Sequence, residues 1–258
     1  MKRIYLFLVG LCLAFVNANA VEINGLEYTL NNADKTASVT GNVNMWRGVV
    51  PGTILYNDIE YTVTSIAADA FRVKNIASIV LPESIKTIGS YAFYGCDYLE
   101  SIVIPEGVTS IGYSAFRYCK SLRSITLPKS LTSIGGYAFS STSLENISLP
   151  ENIVSIGAGL CKNTAFYNNE NNWEDNLLYI GDYLVAAKDV EQIVIKEETK
   201  LIANEVFTSH YKLESISFPA HLTSIGGKYA FQNCINLKNI TLPEGITYID
   251  KQAFEDCI

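Results

Sequence analysis

The sequence predicts a repeat solenoid built mainly of β-structure, with an N-terminal β cap and a β-hairpin insertion. Three observations support this fold class. A segment of about 23 residues recurs along most of the chain. Polar and apolar residues alternate within each copy, which is the period of a half-buried strand. Prolines and glycines interrupt these short strands at the same place in each copy. The chain is therefore expected to form stacked coils.

The composition excludes several classes of protein. Of the 258 residues, 48% are hydrophobic and 17% are charged, so the chain is too apolar for a disordered protein. It has 19 Lys and Arg against 26 Asp and Glu, a formal charge of -7. An acidic chain without a basic patch argues against nucleic acid and anionic lipid as main partners. Two histidines leave little material for metal binding or general-base catalysis.

Residues 1–20 have the three parts of a secretory signal peptide. A positive start and an apolar run at residues 4–16 precede the small-residue pattern Ala-Asn-Ala at 18–20. The run is too short to span a bilayer, and the alternatives are an uncleaved anchor helix or a poorly matching lipid anchor on Cys12. Cleavage after Ala20 would remove two basic residues and no acid, changing the formal charge to -9. We therefore predict a soluble mature chain without a transmembrane span, secreted or at the cell surface.

The repeat is visible when the sequence is compared with itself. Residues 101–112 (SIVIPEGVTSIG) recur as residues 124–135 (SITLPKSLTSIG) and as residues 215–226 (SISFPAHLTSIG). Marker prolines follow at steps of 23, 23, 22, 69 and 24 residues, at Pro82, Pro105, Pro128, Pro150, Pro219 and Pro243. The step of 69 predicts two further units within it. An aromatic marker keeps the same spacing, usually after Ala, at Phe71, Phe93, Phe116, Phe139, Phe207, Phe231 and Phe254.

The second of these copies shows how one coil would be built. Residues 124–127 alternate polar and apolar side chains, and Pro128 ends that strand because it has no N–H for a strand ladder. Residues 131–134 form a second short extended piece, which Gly135 and Gly136 end. An Ala-Phe pair then begins a turn that buries the aromatic ring. Such a coil cannot bury its apolar side alone, so equivalent Ile, Leu and Phe side chains must stack from coil to coil.

The unit resembles the leucine-rich repeat superfamily, and within it the BspA-like class, in its Ile-x-Leu-Pro, Ser-Ile-Gly and Ala-Phe-x-x-Cys motifs. The resemblance covers about residues 64–258. It implies a curved solenoid of leucine-rich repeat coils whose short parallel strands come from the Ser-Ile-x-Leu segments. It also implies a secreted or surface protein, typical of Bacteroides-type bacteria, that adheres to host or microbial partners.

Residues 21–63 contain no marker of the repeat. Asn24-Gly25 predicts a turn between two strands within residues 22–30. Residues 36–40, 49–55 and 59–63 are further strand candidates. Because the first coil needs its apolar end covered, this segment is expected to be the N-terminal β cap.

Residues 163–190 are the second segment that departs from the unit. Polar residues 168–176 precede two apolar runs around Gly181-Asp182, which predicts a two-residue β-hairpin. The hairpin either packs along the stack or protrudes as a recognition element carrying Trp173, Tyr179 and Tyr183. The predicted organisation is a signal peptide at 1–20, the cap at 21–63 and the solenoid at 64–258, with this insertion at 163–190.

Four cysteines share one position in the coil, three residues after the Phe: Cys96, Cys119, Cys234 and Cys257. A coil spacing of ~4.8 Å lies within the Cα range of a disulfide, but stacked side chains point in parallel. We therefore expect buried free thiols, although an oxidising destination makes Cys96–Cys119 and Cys234–Cys257 the pairs to test. Cys161 is off this register.

No arrangement of residues predicts catalysis, a metal site or a cofactor, so we expect a protein that is not an enzyme. His210 occupies the cysteine position of its coil, and His221 aligns with a surface turn; neither has a Ser or Cys partner in catalytic order. No CxxC motif supports zinc. Glutamates that follow marker prolines form a solvated row, at Glu106, Glu151 and Glu244.

The outward positions of the predicted strands form a nearly uncharged face rich in hydroxyl groups. β-propensity and Ser/Thr pairing account for such a face structurally; the functional interpretation is a docking surface for an extended or glycosylated partner. Tyrosines around the Ala-Phe turns either fill the core or contribute to binding. The candidate binding residues are Ser101, Val103, Ser124, Thr126, Ser215, Ser217, Tyr94, Tyr98, Tyr118 and Trp173.

These features predict an adhesin or protein-recognition module that binds an extracellular protein or glycan of a host or neighbouring microbe. The alternative is a glycan-binding or structural scaffold protein of the cell envelope. Residues 254–258 lie inside a unit, so we expect further sequence or a partner to cover the last coil.

Overall fold

A computed structural model describes residues 20–42, 45–250 and 252–257. The predicted signal peptide, including Cys12, lies outside the described residues except for Ala20. The described chain is a mainly β solenoid with almost no helix, which confirms the predicted fold class.

The strands are short and follow the repeat. They are β1 (Ala20–Ile23), β2 (Leu26–Asn31), β3 (Thr36–Asn42), β4 (Arg47–Val49), β5 (Thr53–Tyr56), β6 (Ile59–Ile66), β7 (Ser78–Val80), β8 (Thr87–Ile88), β9 (Ser101–Val103), β10 (Ser110–Ile111), β11 (Ser124–Thr126), β12 (Ser133–Ile134), β13 (Ser155–Ile156), β14 (Trp173–Glu174), β15 (Leu177–Ile180), β16 (Tyr183–Ala187), β17 (Gln192–Val194), β18 (Leu201–Ile202), β19 (Ser215–Ser217) and β20 (Asn239–Ile240). One helical turn, α1 (Ala165–Asn168), and a 3₁₀ turn at Glu170–Asn172 precede β14.

Two strips of strands run along the solenoid. The front strip contains β4, β7, β9, β11, β17, β19 and β20, and the back strip contains β6, β8, β10, β12, β13, β16 and β18. In the front strip Ile102 lies opposite Ile125, and in the back strip Ile111 lies opposite Ile134. Both pairings are parallel and join equivalent residues of successive coils, so each isoleucine packs on the isoleucine before it. The predicted parallel stacking is thus confirmed.

The front strip is paired in separate blocks. β4 pairs with β7, β9 pairs with β11, and β17 pairs with β19 and β20. The outward strand positions predicted for each coil include Asn146 and Ser148, and this one is wrong, because residues 146–148 have no strand structure. The next level of the stack is the inserted hairpin, which pairs within itself and with β18, so it supplies no parallel partner in the front strip.

Stacked phenylalanine rings fill the core along the turn side of each coil. Phe93 lies 5.1 Å from both Phe71 and Phe116, measured between ring centroids, and Phe231 lies 5.0 Å from Phe207 and 5.3 Å from Phe254. These rings form a phenylalanine ladder with one interruption, between Phe139 and Phe207.

Cys161 occupies the position of the missing phenylalanine. In regular coils the residue before the Ala-Phe pair and the second residue after the Phe have positive φ, as at Tyr137 (56°) and Ser141 (58°). The coil of Cys161 has the same two positions at Gly159 (60°) and Asn163 (60°). Its sequence lacks the Ala-Phe marker, which is why the cysteine looks off register. A thiol is far smaller than a phenyl ring, so the ladder stops here.

The glycine of the Ser-Ile-Gly motif has a steric role. A Cβ on Gly135 would clash with the backbone nitrogen of Tyr113 in the preceding coil, and a Cβ on Gly112 would clash with that of Ser90. The absence of a side chain therefore lets successive backbones approach closely at the end of each back strand.

The N-terminal cap is continuous with the back strip. β1 and β2 form the predicted hairpin around Asn24 (φ 52°) and Gly25 (φ 78°), β3 pairs with β2 and β6, and β6 pairs with β8. The predicted strand at 49–55 is wrong in one respect, since Pro51 separates β4 from β5. Proline has no N–H for a ladder, so the chain crosses here from the front strip back to β6.

The insertion contains the predicted hairpin of β15 and β16, with Gly181 at φ 59° in its turn. A third strand, β14, pairs with β15 across a turn in which Asp175 and Asn176 both have positive φ. β16 then pairs in parallel with β18. The insertion therefore forms one level of the back strip and packs along the stack.

Candidate interaction surface

The candidate residues on the strands lie on the front strip with their side chains in solvent. Ser101 faces Ser124 across the β9–β11 pair, and Val103 faces Thr126. All four are exposed. Ser215 and Ser217 are exposed too, but they belong to the later block formed by β17, β19 and β20. The structure therefore divides the predicted face into an earlier and a later half.

The earlier half carries a row of exposed valines. Val49 lies opposite Val80 in the β4–β7 pair, and Val103 has the equivalent position in the next coil. Their exposed fractions are 67%, 59% and 66%. Side chains of this size are usually buried, so three of them in successive coils are a notable concentration of apolar surface.

An aromatic pair lies beside this row. The rings of Trp46 and Tyr98 are 5.1 Å apart, and each side chain is about half exposed, at 52% and 50%. The Trp46 carbonyl accepts a hydrogen bond of 2.7 Å from the Ala77 amide, which holds it at the edge of the front strip. We call Trp46, Tyr98 and the three valines the apolar patch. Tyr98 was among the predicted residues, whereas Trp46 was missed because it lies in the cap, which has no repeat marker.

Two ion pairs lie beside the front strip. Lys120 lies 2.9 Å from Asp97, and Lys238 lies 2.7 Å from Glu214, in each case on the adjacent coil. Exposed pairs of this kind contribute little stability. Arg47, on β4, is an exposed cation beside the apolar patch.

The structure places Tyr94 and Tyr118 in the turns, away from the strand rows. Their rings meet edge to face at 5.4 Å. The Arg72 guanidinium lies 5.0 Å from the ring of Tyr94, and that of Arg117 lies 4.7 Å from Tyr118. Both tyrosines are half-buried, so they pack against arginines and retain one accessible side.

Trp173 has a packing role in the insertion. Its Nε1 donates a hydrogen bond of 2.8 Å to the Tyr167 carbonyl, and its ring meets the Tyr167 ring at 5.2 Å. Tyr183 is buried and donates to the Pro150 carbonyl, and the Tyr179 hydroxyl accepts from the Lys196 amide. The contacts favour the structural interpretation of the hairpin over a protruding recognition element.

The cysteine position is a hydrogen-bonding position. The thiols of Cys96, Cys119 and Cys234 are buried, and each donates to the carbonyl of the phenylalanine one coil earlier, at 3.0 to 3.1 Å. Cys257 does the same from a half-buried site. All five cysteines in the described chain are free thiols, as predicted. Burial raises the pKa of Cys161 and of Cys234 to about 12, so both are protonated and unreactive near neutral pH.

Neither histidine lies in a catalytic arrangement. His210 is buried in the cysteine position against Phe207, and burial lowers its pKa, which keeps it neutral. His221 bonds the Thr199 carbonyl at 3.0 Å. Within the described ranges, no group of three His, Cys, Asp or Glu side chains could hold a metal ion. Among the residues that the structure describes, no helix has the length and apolar character to cross a membrane.

Two overlapping stretches match one family of repeats. Residues 64–183 and 162–258 match the family described as "BspA type Leucine rich repeat region (6 copies)". They cover most of the chain and the same region as the marker prolines.

Several solved bacterial structures are similar to the chain. The pneumococcal vaccine antigen PcpA is 24% identical, with a TM-score of 0.49, over 92% of this chain and 73% of that one. A leucine rich cell surface protein from Faecalibacterium prausnitzii is 24% identical, with a TM-score of 0.37, over 92% and 86%. A leucine-rich repeat protein of T. pallidum is 22% identical, with a TM-score of 0.42, over 87% and 83%. The comparison with curated proteins found no match.

Proposed function

The chain belongs to the BspA-type leucine-rich repeat family, and from this premise we propose that it is an exported or cell-surface adhesin or protein-recognition module. The apolar patch is the observation that carries the proposal. It combines two half-exposed aromatic rings with three exposed valines on a strip of paired strands. Family membership supports a binding protein, and the patch supports a protein as its partner.

The chemistry of the patch favours protein recognition. Exposure of large apolar surfaces to water is unfavourable, and the free energy falls when a partner covers them. Tryptophan and tyrosine are frequent anchors in such interfaces because they bury much surface with few rotatable bonds. The backbone beneath the patch is hydrogen-bonded between β4 and β7 and between β9 and β11, so binding requires little rearrangement.

Export and surface location rest on the sequence. The apolar run and cleavage pattern in residues 1–20 support secretion of the mature chain. The proposal does not include catalysis, since the described histidines and cysteines are buried or engaged with backbone groups.

A pair of valine substitutions tests the proposal. Val103 and Val154 are about equally exposed, at 66% and 70%, but only Val103 lies in the apolar patch. Val103→Lys should weaken binding to an immobilised extracellular-matrix protein at least tenfold, because a lysine there would leave a charge in a desolvated contact. Val154→Lys should leave binding unchanged. Biolayer interferometry with host-matrix proteins and host polysaccharides measures both effects.

A substitution in the aromatic pair provides a second, independent test. Trp46→Ala should weaken the same interaction by about 2 kcal/mol or more, the range of an aromatic anchor. Matrix-protein binding that both V103K and W46A retain would refute the proposed surface. Binding to polysaccharides alone would instead support the alternative of a glycan-binding protein.

A further inference from the structure

A cleft lies on the turn side of the solenoid where the phenylalanine ladder is interrupted. Its volume is about 270 Å³. Four levels of the stack contribute to its lining: the coils of Tyr137 and of Cys161 before the insertion, the insertion itself with Tyr167 and Ala186, and the coil of Glu205 after it. It lies apart from the apolar patch and is made of different residues.

The cleft has an identifiable structural cause. The coil of Cys161 has a small thiol where other coils have a phenyl ring, and in the inserted level the pair Ala165-Phe166 lies in the helical turn α1, outside the phenylalanine ladder. Gly159 precedes Cys161 at the position that Tyr137 occupies in the coil before, so a second aromatic ring is absent there too. The phenylalanine ladder is therefore missing over two successive levels.

Two aromatic rings form the walls of the cleft. Tyr137 is half-buried and meets the Tyr113 ring at 5.8 Å, with the Arg117 guanidinium 5.0 Å from its own ring. Tyr167 is half-buried and is supported by Trp173. Burial raises the pKa of both phenols, so both hydroxyl groups are neutral and can donate and accept hydrogen bonds at physiological pH. The rings are thus held in position by their neighbours.

Two oppositely charged residues and two uncharged polar residues line the cleft around these rings. Lys162 and Glu205 are exposed at the cleft, and Asn204 and Thr208 also line it. Neither Lys162 nor Glu205 has an oppositely charged group within 4 Å in the part of the chain that the structure describes. The lining consequently offers hydrogen-bond donors and acceptors without a net charge.

We propose that this cleft binds a pyranose ring of a neutral glycan. A pyranose has an apolar C–H face that packs on aromatic rings, and hydroxyl groups that pair with amide, carboxylate and ammonium groups. The volume suits one ring, because clefts for drug-sized ligands occupy roughly 300–1,000 Å³. The negative charge of Glu205 repels an anionic ligand. A purely apolar ligand would leave the polar groups of the lining desolvated and unpaired. The proposal is independent of the protein-binding surface.

Saturation-transfer NMR with the full chain lacking its predicted signal peptide tests this inference. The probes are methyl pyranosides of glucose, galactose, mannose and N-acetylglucosamine, with N-acetylneuraminic acid as the anionic probe. At least one neutral pyranoside should bind with a Kd on the order of 1 mM, as expected for a ligand of this size. Ala186→Phe should abolish the signal by filling the cleft. Val154→Phe, which adds the same ring at an exposed position, should retain it.

Glu205→Gln gives a second arm that does not depend on the folding of A186F, because Glu205 is exposed. It should weaken the neutral pyranoside about threefold, since an amide is a weaker acceptor than a carboxylate. The proposal is wrong if no pyranoside binds at about 20 mM, if a correctly folded A186F still binds, or if N-acetylneuraminic acid alone binds and E205Q strengthens that binding.

Discussion

One side-chain position, the third after each phenylalanine, shows how the repeat selects residues. It holds Cys in four coils, and its sulfur donates to the carbonyl of the preceding phenylalanine turn. A small, weakly polar group fits because the site is buried and has one acceptor to satisfy. Thr142 and Thr164 take the same position and donate a hydroxyl to the carbonyl within their own turn. The position therefore favours a compact donor, although His210 also occupies it, and does not require a disulfide.

This interpretation predicts the reactivity of the thiols. At pH 8 the native chain should leave Cys161 and Cys234 unmodified by Ellman's reagent, because their pKa of about 12 keeps them protonated and their burial excludes the reagent. Half-buried Cys257 should react first, and all of them should react in guanidinium chloride. Rapid modification of Cys161 in the native chain would contradict the prediction.

The same pKa shifts set a pH dependence of stability. The thiols have a higher pKa folded than unfolded, where the value is about 8.5. The free energy they contribute is therefore fully present below about pH 8.5 and falls as the pH rises toward 12. Urea unfolding between pH 7 and about 10.5 should show this loss. Cys161→Ser should reduce it, because a serine hydroxyl does not ionise in this pH range. An identical alkaline loss in the variant would count against the assignment.

At the scale of elements, the two-residue back strands depend on how closely their coils approach. Each strand contributes few hydrogen bonds, so its position is set by stacking on its neighbour and by the glycine that follows it. Gly135 has an ordinary negative φ, so its requirement is space and not backbone conformation.

A pair of glycine substitutions tests this requirement. Gly135→Ala should destabilise the chain by roughly 2 kcal/mol or more, because the new Cβ meets the backbone of Tyr113, which cannot move alone. Gly52→Ala is the control, since its Cβ would lie 3.7 Å from the nearest atom, in Pro82, and it should change stability by less than ~1 kcal/mol. Thermal unfolding measures both, and equal effects would refute the close-approach argument.

At the scale of the whole molecule, the solenoid is a one-dimensional stack in which each coil contacts mainly its neighbours. The interruption of the phenylalanine ladder divides the turn side of the core into a block before Cys161 and a block from Phe207 onward. The back strip still crosses this point, since the Asn204 amide donates to the Ile156 carbonyl at 2.9 Å. Because the phenylalanine ladder is interrupted here, loss of structure in one block should spread poorly to the other.

Phe116→Ala tests this division. Its ring is fully buried in the earlier block, so removal should cost about 3–5 kcal/mol. Hydrogen exchange should show lost protection in residues 64–160, while residues 192–250 keep theirs. Phe254→Ala, at a partly exposed ring of the last described coil, should cost less. Uniform loss of protection would show that the stack unfolds as one unit.

Much of the fold followed from patterns within the sequence. The coil length, the two strands of each coil, the Asn24-Gly25 hairpin and the insertion hairpin all depend on local signals that recur or on short-range turn chemistry. The outward positions Ser101 and Val103 could be identified for the same reason, because alternation along a strand specifies its two faces. Their role in binding stays a prediction.

The tertiary structure alone decided what depends on contacts between distant segments. The amino-acid sequence does not show that Trp46 packs against Tyr98, that β4 leaves the cap to join the front strip, or that residues 146–148 lose their partner. Cys161 takes a phenylalanine position that no marker identifies, and the resulting cleft involves four levels of the stack. The periodicity of the sequence shows which residues are equivalent. Packing depends instead on which coil lies next to each residue, and an insertion changes the adjacent coil without changing the repeat pattern.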